Sequence, residues 1–250
     1  MISYDLHTHT KYSDGRATVL EMVFAAEALG LSHIAITDHY TDKNNTWVGK
    51  VSEEIEEIRG KFSVKILKGA EGAVLNEEGG ISVDKKIRDK LDLLLVHMGG
   101  EAKGIAKETD KLSKEDIIEN ITTAYTKAAE NPLVDIIAHP FNIGYYFDIV
   151  VEPREYPIGN LKRIAEVFVK NNTCFEIMNN IWWWFPGIHP REFTRQYIEL
   201  VRVFAKVGVK FSLGSNAHSV GGVGNLIWSK YVIEKTKIEN QLIEPDIFVK

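Results

Sequence analysis

Cysteine is nearly missing from this chain. Cys174 stands alone among 250 residues, so no internal disulfide can staple the fold. Its apolar setting, Thr173-Cys174-Phe175-Glu176-Ile177, reads as a buried small residue inside a strand rather than a reactive thiol, and thiol catalysis is not expected. Basic residues are not in excess: 30 Lys and Arg stand against 35 Asp and Glu, for a net charge of −5. That balance leaves no footprint for long nucleic acids, although a local basic patch stays open. No apolar run approaches the roughly 20 residues of a membrane helix. The N-terminus lacks the basic-then-apolar pattern of a signal peptide, and the expected setting is a reducing cytoplasm. Also missing are a Gly-, Ser- or Pro-rich linker, a low-complexity tract, an internal repeat, a G-x-S-x-G elbow and a Walker A sequence.

What remains is regular alternation. A hydrophobic fraction of 44% suits a globular chain, and 250 residues fit one domain spanning 1–250. Apolar runs of about five residues recur near 2–6, 33–37, 64–70, 92–96, 134–138, 174–178 and 209–213. Amphipathic segments separate most of them. In 18–29, Thr18 and Glu21 form a capping-box signature, Leu20, Phe24 and Ala28 recur at helical spacing, and Gly30 is a stop. In 114–130, Ser113 is the expected N-cap, Ile117, Ile121, Tyr125 and Ala128 form the buried stripe, and Asn131-Pro132 ends the helix. Segments 50–60, 158–171 and 191–207 read as helices too. Stretches 40–49, 76–90, 99–112, 141–157 and 179–190 read as irregular. Seven β/α units fit the length, which predicts an α/β fold with a parallel sheet and helices outside.

Six of the eight histidines stand where a strand-like run gives way to a loop: His7, His9, His39, His97, His139 and His218. Glu71 follows its run in the same manner. In a parallel barrel such strand ends open on one rim, so these residues would converge. Neutral imidazoles with a few carboxylates are the donor set of transition metals. Asp14, in Ser13-Asp14-Gly15, reads as a further ligand or as a plain turn residue. Glu71, between Gly69 and Gly72, can share its two oxygens between ions. Asp38, beside His39, is expected to orient a ligating imidazole. His33 precedes its strand, on the opposite rim, and is expected to be structural. His189 stays open between a substrate contact and an incidental loop residue.

The set His7-Thr8-His9-Thr10, Ser13-Asp14-Gly15, Thr37-Asp38-His39, Glu71, His97, His139-Pro140 and Gly214-Ser215-Asn216-Ala217-His218 resembles the PHP (polymerase and histidinol phosphatase) family. The resemblance runs from residue 4 to about residue 225. It implies a distorted (β/α)7 TIM-like barrel, two or three Zn, Mn or Fe ions, and hydrolysis of phosphate esters by a metal-bridging hydroxide. Carried over, His7 and His9 would hold one ion with Glu71. Glu71 would bridge to a second ion held by His97 and His139, and Asp14, His39 and His218 would hold a third. Glu71, His218 and Asp14 are the expected catalytic residues. Position 216 departs from the family's Gly-Ser-Asp-Ala-His: Asn216 can ligate through oxygen but brings no charge, which implies weaker occupancy of at least one site or dependence on hydroxide or phosphate to balance charge.

A small phosphorylated metabolite is the expected substrate, with a nucleotide phosphodiester or nuclease substrate as the alternative and a non-catalytic binding barrel as the contrasting class. Phosphate favours cationic donors. Arg154, Arg191, Arg195 and Lys11 lie near the expected rim as candidates or as ordinary surface charges. The run Trp182-Trp183-Trp184 would wall a pocket, with Trp183 stacking on a ring, or else fill core or make a subunit contact.

Overall fold

The run Leu93-Leu94-Leu95-Val96 has no polar face, and in the computed structural model, which describes residues 3–144 and 147–249, all four side chains are fully buried. A strand buried on both faces belongs in a parallel sheet covered on both sides. Every strand pairing around the sheet is parallel. The strands are β1 (Tyr4–Asp5), β2 (His33–Ile36), β3 (His39–Tyr40), β4 (Lys65–Asn76), β5 (Leu93–Lys103), β6 (Ile136–Ile137), β7 (Cys174–Met178) and β8 (Phe211–Gly214). Their order is β1-β2-β4-β5-β6-β7-β8. The short β3 continues β2 at the same register against β4. The ring is drawn together where Leu6 N donates to Leu213 O at 3.0 Å and His9 N to Ala217 O at 2.8 Å. This is a nearly closed, distorted (β/α)7 barrel.

The α-helices among the described residues are α1 (Val19–Ala28), α2 (Val48–Ile58), α3 (Lys85–Arg88), α4 (Lys114–Glu130), α5 (Ile158–Asn171), α6 (Pro190–Val207) and α7 (Ile227–Thr236). They form the outer layer. In α4 the expected stripe is the buried one: Ile117, Ile121, Tyr125 and Ala128 are wholly inaccessible, and Ser113 caps the helix through a reciprocal box with Asp116. Truncating one such isoleucine to alanine costs about 2–5 kcal/mol in a typical core. Cys174 is buried in β7, and burial pushes its thiol pKa up to about 12. No helix among the described residues is long and apolar enough to cross a membrane.

Three local expectations differ. Helix α1 has its Thr18–Glu21 box, but Leu20, Phe24 and Ala28 face outward, while Val19, Met22, Val23 and Ala26 form the buried face. Both sets satisfy helical spacing because the helix is apolar nearly all round. Within the supposedly irregular stretch 99–112, β5 runs through Gly99 and Gly100 to Lys103, still paired with β4 at Asn76. Within 76–90, Asp84 caps the short helix α3. Residue 2, which opens the first apolar run, and residues 145–146 of the loop 141–157 lie outside the described residues.

Candidate metal centre

Parallel pairing fixes which residues meet at the rim. Register sets His39 of β3 against Glu71 of β4, and Ala73 against His97 of β5. His7 and His9 follow β1, His139 follows β6 and His218 follows β8, all at the same end of the barrel. Glu71 is the hub. Its Oε2 lies 2.9 Å from His39 Nδ1, 3.3 Å from His7 Nε2 and 3.4 Å from His9 Nε2. Its Oε1 lies 3.1 Å from His139 Nε2 and 3.8 Å from His97 Nδ1. One carboxylate thus faces two histidine sets, one on each oxygen.

Asp14 gathers a second cluster nearer the solvent. Its Oδ2 is 3.1 Å from His218 Nε2 and 3.7 Å from His39 Nε2, and its Oδ1 is 3.8 Å from His9 Nδ1. His9 and His39 therefore reach both clusters, each with a different ring nitrogen. The division into three separate ligand sets is less sharp in the structure than the resemblance implies, because these two imidazoles stand between the sets.

Buried carboxylates behind the rim hold the loops in place. Glu176, in the middle of β7, accepts His7 Nδ1–H at 2.8 Å on one oxygen and the backbone N–H of His139 at 2.7 Å on the other. That bond puts the His7 proton on Nδ1 and turns Nε2 toward Glu71. Gly214 makes room for it, since a Cβ there would lie 2.2 Å from Glu176 Oε1. Asp5 accepts from Ser215 N and Gly224 N at 2.8 Å each and from Ser215 Oγ at 2.6 Å, which ties the 214–218 loop to β1. Asp38 does not orient a histidine as expected. It accepts from Thr10 N at 2.8 Å, Thr10 Oγ1 at 2.7 Å and Ser13 Oγ at 2.6 Å, and so holds the loop that carries Asp14. Glu176 and Asp5 were missed in the sequence; the readable signal was a lone acid within each apolar strand run.

Burial opposes charge on Glu71, yet the neighbouring His7, His97 and His39 and the bond from His139 outweigh it and hold its carboxyl well below the ordinary range. Burial takes His97 down to about 4, against the opposing pull of Glu71, so its ring is a neutral donor at physiological pH. Asp14 is likewise held low: burial works against ionisation, and the bond from His218 with the charges of His39 and His9 overcomes it. Burial raises Asp5 and Asp38, each partly offset by the bonds it accepts.

The donor set fits metal ions. His7 Nε2, both ring nitrogens of His9, Glu71 Oε2, His139 Nδ1 and Asn216 Oδ1 are buried without a hydrogen-bond partner among the described residues. Such orphans are costly unless something absent from the protein satisfies them. With bonds near 2.1 Å, a tetrahedral site has ligand-to-ligand edges of about 3.4 Å, which matches the separations of His7 and His9 from Glu71. Three groups have donor atoms within 4.8 Å of one another: His9, Asp14, His39 and His218; His7, His9 and Glu71; and His39, Glu71 and His97.

A cleft of about 800 Å³ opens above this cluster, lined by Asp14, His39, His97, His139, Asn216 and His218 on its floor. Trp182, Trp183 and Trp184 form a wall, while Ile181 and Phe185 at either end of their short helix are buried in the core. Trp184, rather than Trp183, meets the centre: its ring stacks on His139 with centroids 5.9 Å apart and planes at 21°. Trp183 lies on the wall, 56% exposed. The lining contains no lysine or arginine among the described residues. Arg191 and Arg195 instead line a separate groove between α6 and α7, where Arg195 pairs with Glu192. Arg154 pairs with Glu152, and Lys11 is exposed outside the cleft. His189 caps α6 by accepting Arg191 N–H and faces that second groove. His33 is buried at the opposite rim against Ser32 and Asp246.

Residues 5–180 match the family model of the PHP domain. The chain belongs to the PHP domain family. Among PHP relatives, a protein from Caldanaerobacter subterraneus subsp. tengcongensis named "Probable phosphatase" is 28% identical over 246 residues, covering 96% of this chain and 85% of its own. Another of that name, from Thermoanaerobacter sp., is 30% identical over 246 residues, covering 96% of this chain and 88% of its own. In fold, this PHP chain is similar to the histidinol phosphate phosphatase of Lactococcus lactis, solved with zinc, L-histidinol and phosphate. That likeness has a TM-score of 0.66 over 94% of both chains, at 16% identity.

Proposed function

We propose that this PHP-domain protein is a metal-dependent phosphoesterase that releases phosphate from a small phosphomonoester. The observation that carries the reading is Glu71, a buried carboxylate with histidines on both oxygens beneath an open cleft. His7 and His9 with Glu71 would hold one ion, Glu71 with His97 and His139 a second, and Asp14, His39 and His218 a third. Asn216 contributes an uncharged oxygen. Zn, Mn or Fe held there would supply Lewis-acid charge to the phosphoryl oxygens and would acidify water.

The protein's own residues do the rest. Glu176 keeps the His7 proton on Nδ1, and the Asn216 carbonyl, 2.9 Å from His218 Nδ1, does the same for His218. Asp14 Oδ2 and His218 Nε2 lie 3.1 Å apart at the cleft edge, where both would turn lone pairs to an ion. With no lysine or arginine in the lining among the described residues, ions held there would balance most of the charge on the phosphate. The tryptophan wall takes the alcohol portion of the substrate. The names of the relatives, and the zinc, L-histidinol and phosphate held by the Lactococcus lactis protein, support the same reading.

The test is phosphate release by metal-loaded protein from histidinol phosphate, a nucleoside monophosphate and a phosphodiester, with Glu71→Gln as control. Metal-dependent turnover of a monoester that the control lacks is the expected result. Turnover of the diester alone would favour the nuclease reading, and no turnover with ions bound would make the protein a binding module.

A further inference from the structure

Strand β7 is followed by two asparagines, Asn179 and Asn180, one buried and one exposed. The buried Asn179 accepts the backbone N–H of Trp228 at 2.9 Å and of Ser229 at 3.4 Å, both on Oδ1, in the first turn of α7. An amide whose oxygen is so engaged has its N–H donors on the other branch, and Asn179 Nδ2 donates to Asn180 Oδ1 at 2.9 Å. The same argument orients Asn180. Its oxygen is turned to Asn179, and the NH2 on its other branch is left for a ligand. None of the hydrogen bonds among the described residues uses that NH2. Asn180 lines the cleft.

Its place on the rim is beside the candidate metal ligands. Met178 of β7 pairs with Gly214 of β8, and two residues beyond these partners stand Asn180 and Asn216, both at positive φ (67° and 53°). Asn216 and His218 reach the cleft floor after β8 and His139 after β6, so Asn180 follows the strand between them. The tryptophan wall starts just after it, where Trp183 N donates to Asn180 O at 2.9 Å. A phosphoryl group over this floor needs N–H donors for the oxygens that ions do not take. The lining offers it no lysine or arginine among the described residues. We propose that Asn180 is a phosphate-binding residue, whose side-chain N–H donates to a non-bridging phosphoryl oxygen of the substrate. The chemistry rests on the phosphoesterase reading, but the contact itself is a binding property.

The experiment measures binding of inorganic phosphate and of benzylphosphonate, together with kcat/KM on the preferred monoester, for metal-loaded wild-type protein, Asn180→Gly and Asn180→Asp. Glycine and aspartate both tolerate the positive φ, and aspartate also keeps an oxygen for Asn179. Circular dichroism and metal content should match the parent in both variants. Affinity for the two ligands and kcat/KM should fall by about tenfold or more in Asn180→Gly, the scale of a hydrogen bond to a charged group. Asn180→Asp, which sets a negative charge against the phosphate, should lose more. The loss should be equal for inorganic phosphate, which has no portion to reach the tryptophans. A folded, metal-loaded Asn180→Gly that binds both ligands like the parent overturns the assignment. So does an Asn180→Asp that does, because a residue serving only to hold Asn179 and the turn would tolerate that change. A loss confined to benzylphosphonate, which marks a disturbed wall, or a wild-type protein that binds neither ligand, overturns it as well. Because both ligands report without turnover, esters that fail to react beside the expected binding pattern count against the phosphoesterase reading alone.

Discussion

His7 Nδ1 lies 2.8 Å from Glu176 Oε1, and the other oxygen of that carboxylate takes the backbone N–H of His139 at 2.7 Å. One side chain in β7 thus holds a candidate ligand of each set on Glu71. Glu176→Ala removes both bonds and leaves two buried donors unpaired. Metal affinity should fall by about 10–100-fold, as for other partners of ligating histidines, and stability by about 1–3 kcal/mol. Competition with a chromogenic chelator and denaturant unfolding of the metal-free protein measure the two effects.

Asn216 sits at a positive φ of 53°, where Asn and Asp are both tolerated, and its buried Oδ1 has no hydrogen-bond partner among the described residues. Asn216→Asp therefore adds a negative charge to the proposed cation site with no backbone penalty. The variant should retain more metal per chain after dialysis than the parent. Equal metal content and equal affinity would put position 216 outside the ligand shell.

Trp184 borders the centre, whereas Arg191 and Arg195 face another groove. Steady-state kinetics on the preferred monoester should show KM raised by about tenfold in Trp184→Ala, the scale of losing a well-packed ring contact. Arg191→Ala and Arg195→Ala should stay within about threefold of the parent, since exposed ion pairs contribute little. A large loss in either arginine variant would return these residues to substrate binding.

The convergence of the candidate ligands is legible because they stand at strand ends, which parallel pairing carries to one rim without further information. Register does the rest, as in His39 against Glu71. Glu176 and Asp5 were not found because an acid inside an apolar strand looks the same in sequence whether it points at a ligand or at nothing. Adjacency in sequence suggests a histidine as the partner of Asp38, but in the break between β2 and β3 its carboxylate binds Thr10 and Ser13 instead. The buried face of α1 was ambiguous in principle: Val19, Met22, Val23 and Ala26 compete with Leu20, Phe24 and Ala28 at the same spacing, and only packing decides. Gly99 and Gly100 read as a strand end because glycine weakens strands, yet pairing with β4 carries β5 past them.

The convergence of these histidines on Glu71 is the central claim, and elemental analysis tests it most directly. Wild-type protein reconstituted with Zn or Mn and desalted should retain two or three ions per chain. Glu71→Gln, with the same fold by circular dichroism, should retain markedly fewer, because Glu71 faces both histidine sets. Wild-type protein that keeps no metal after reconstitution, or no more than Glu71→Gln keeps, would contradict the account.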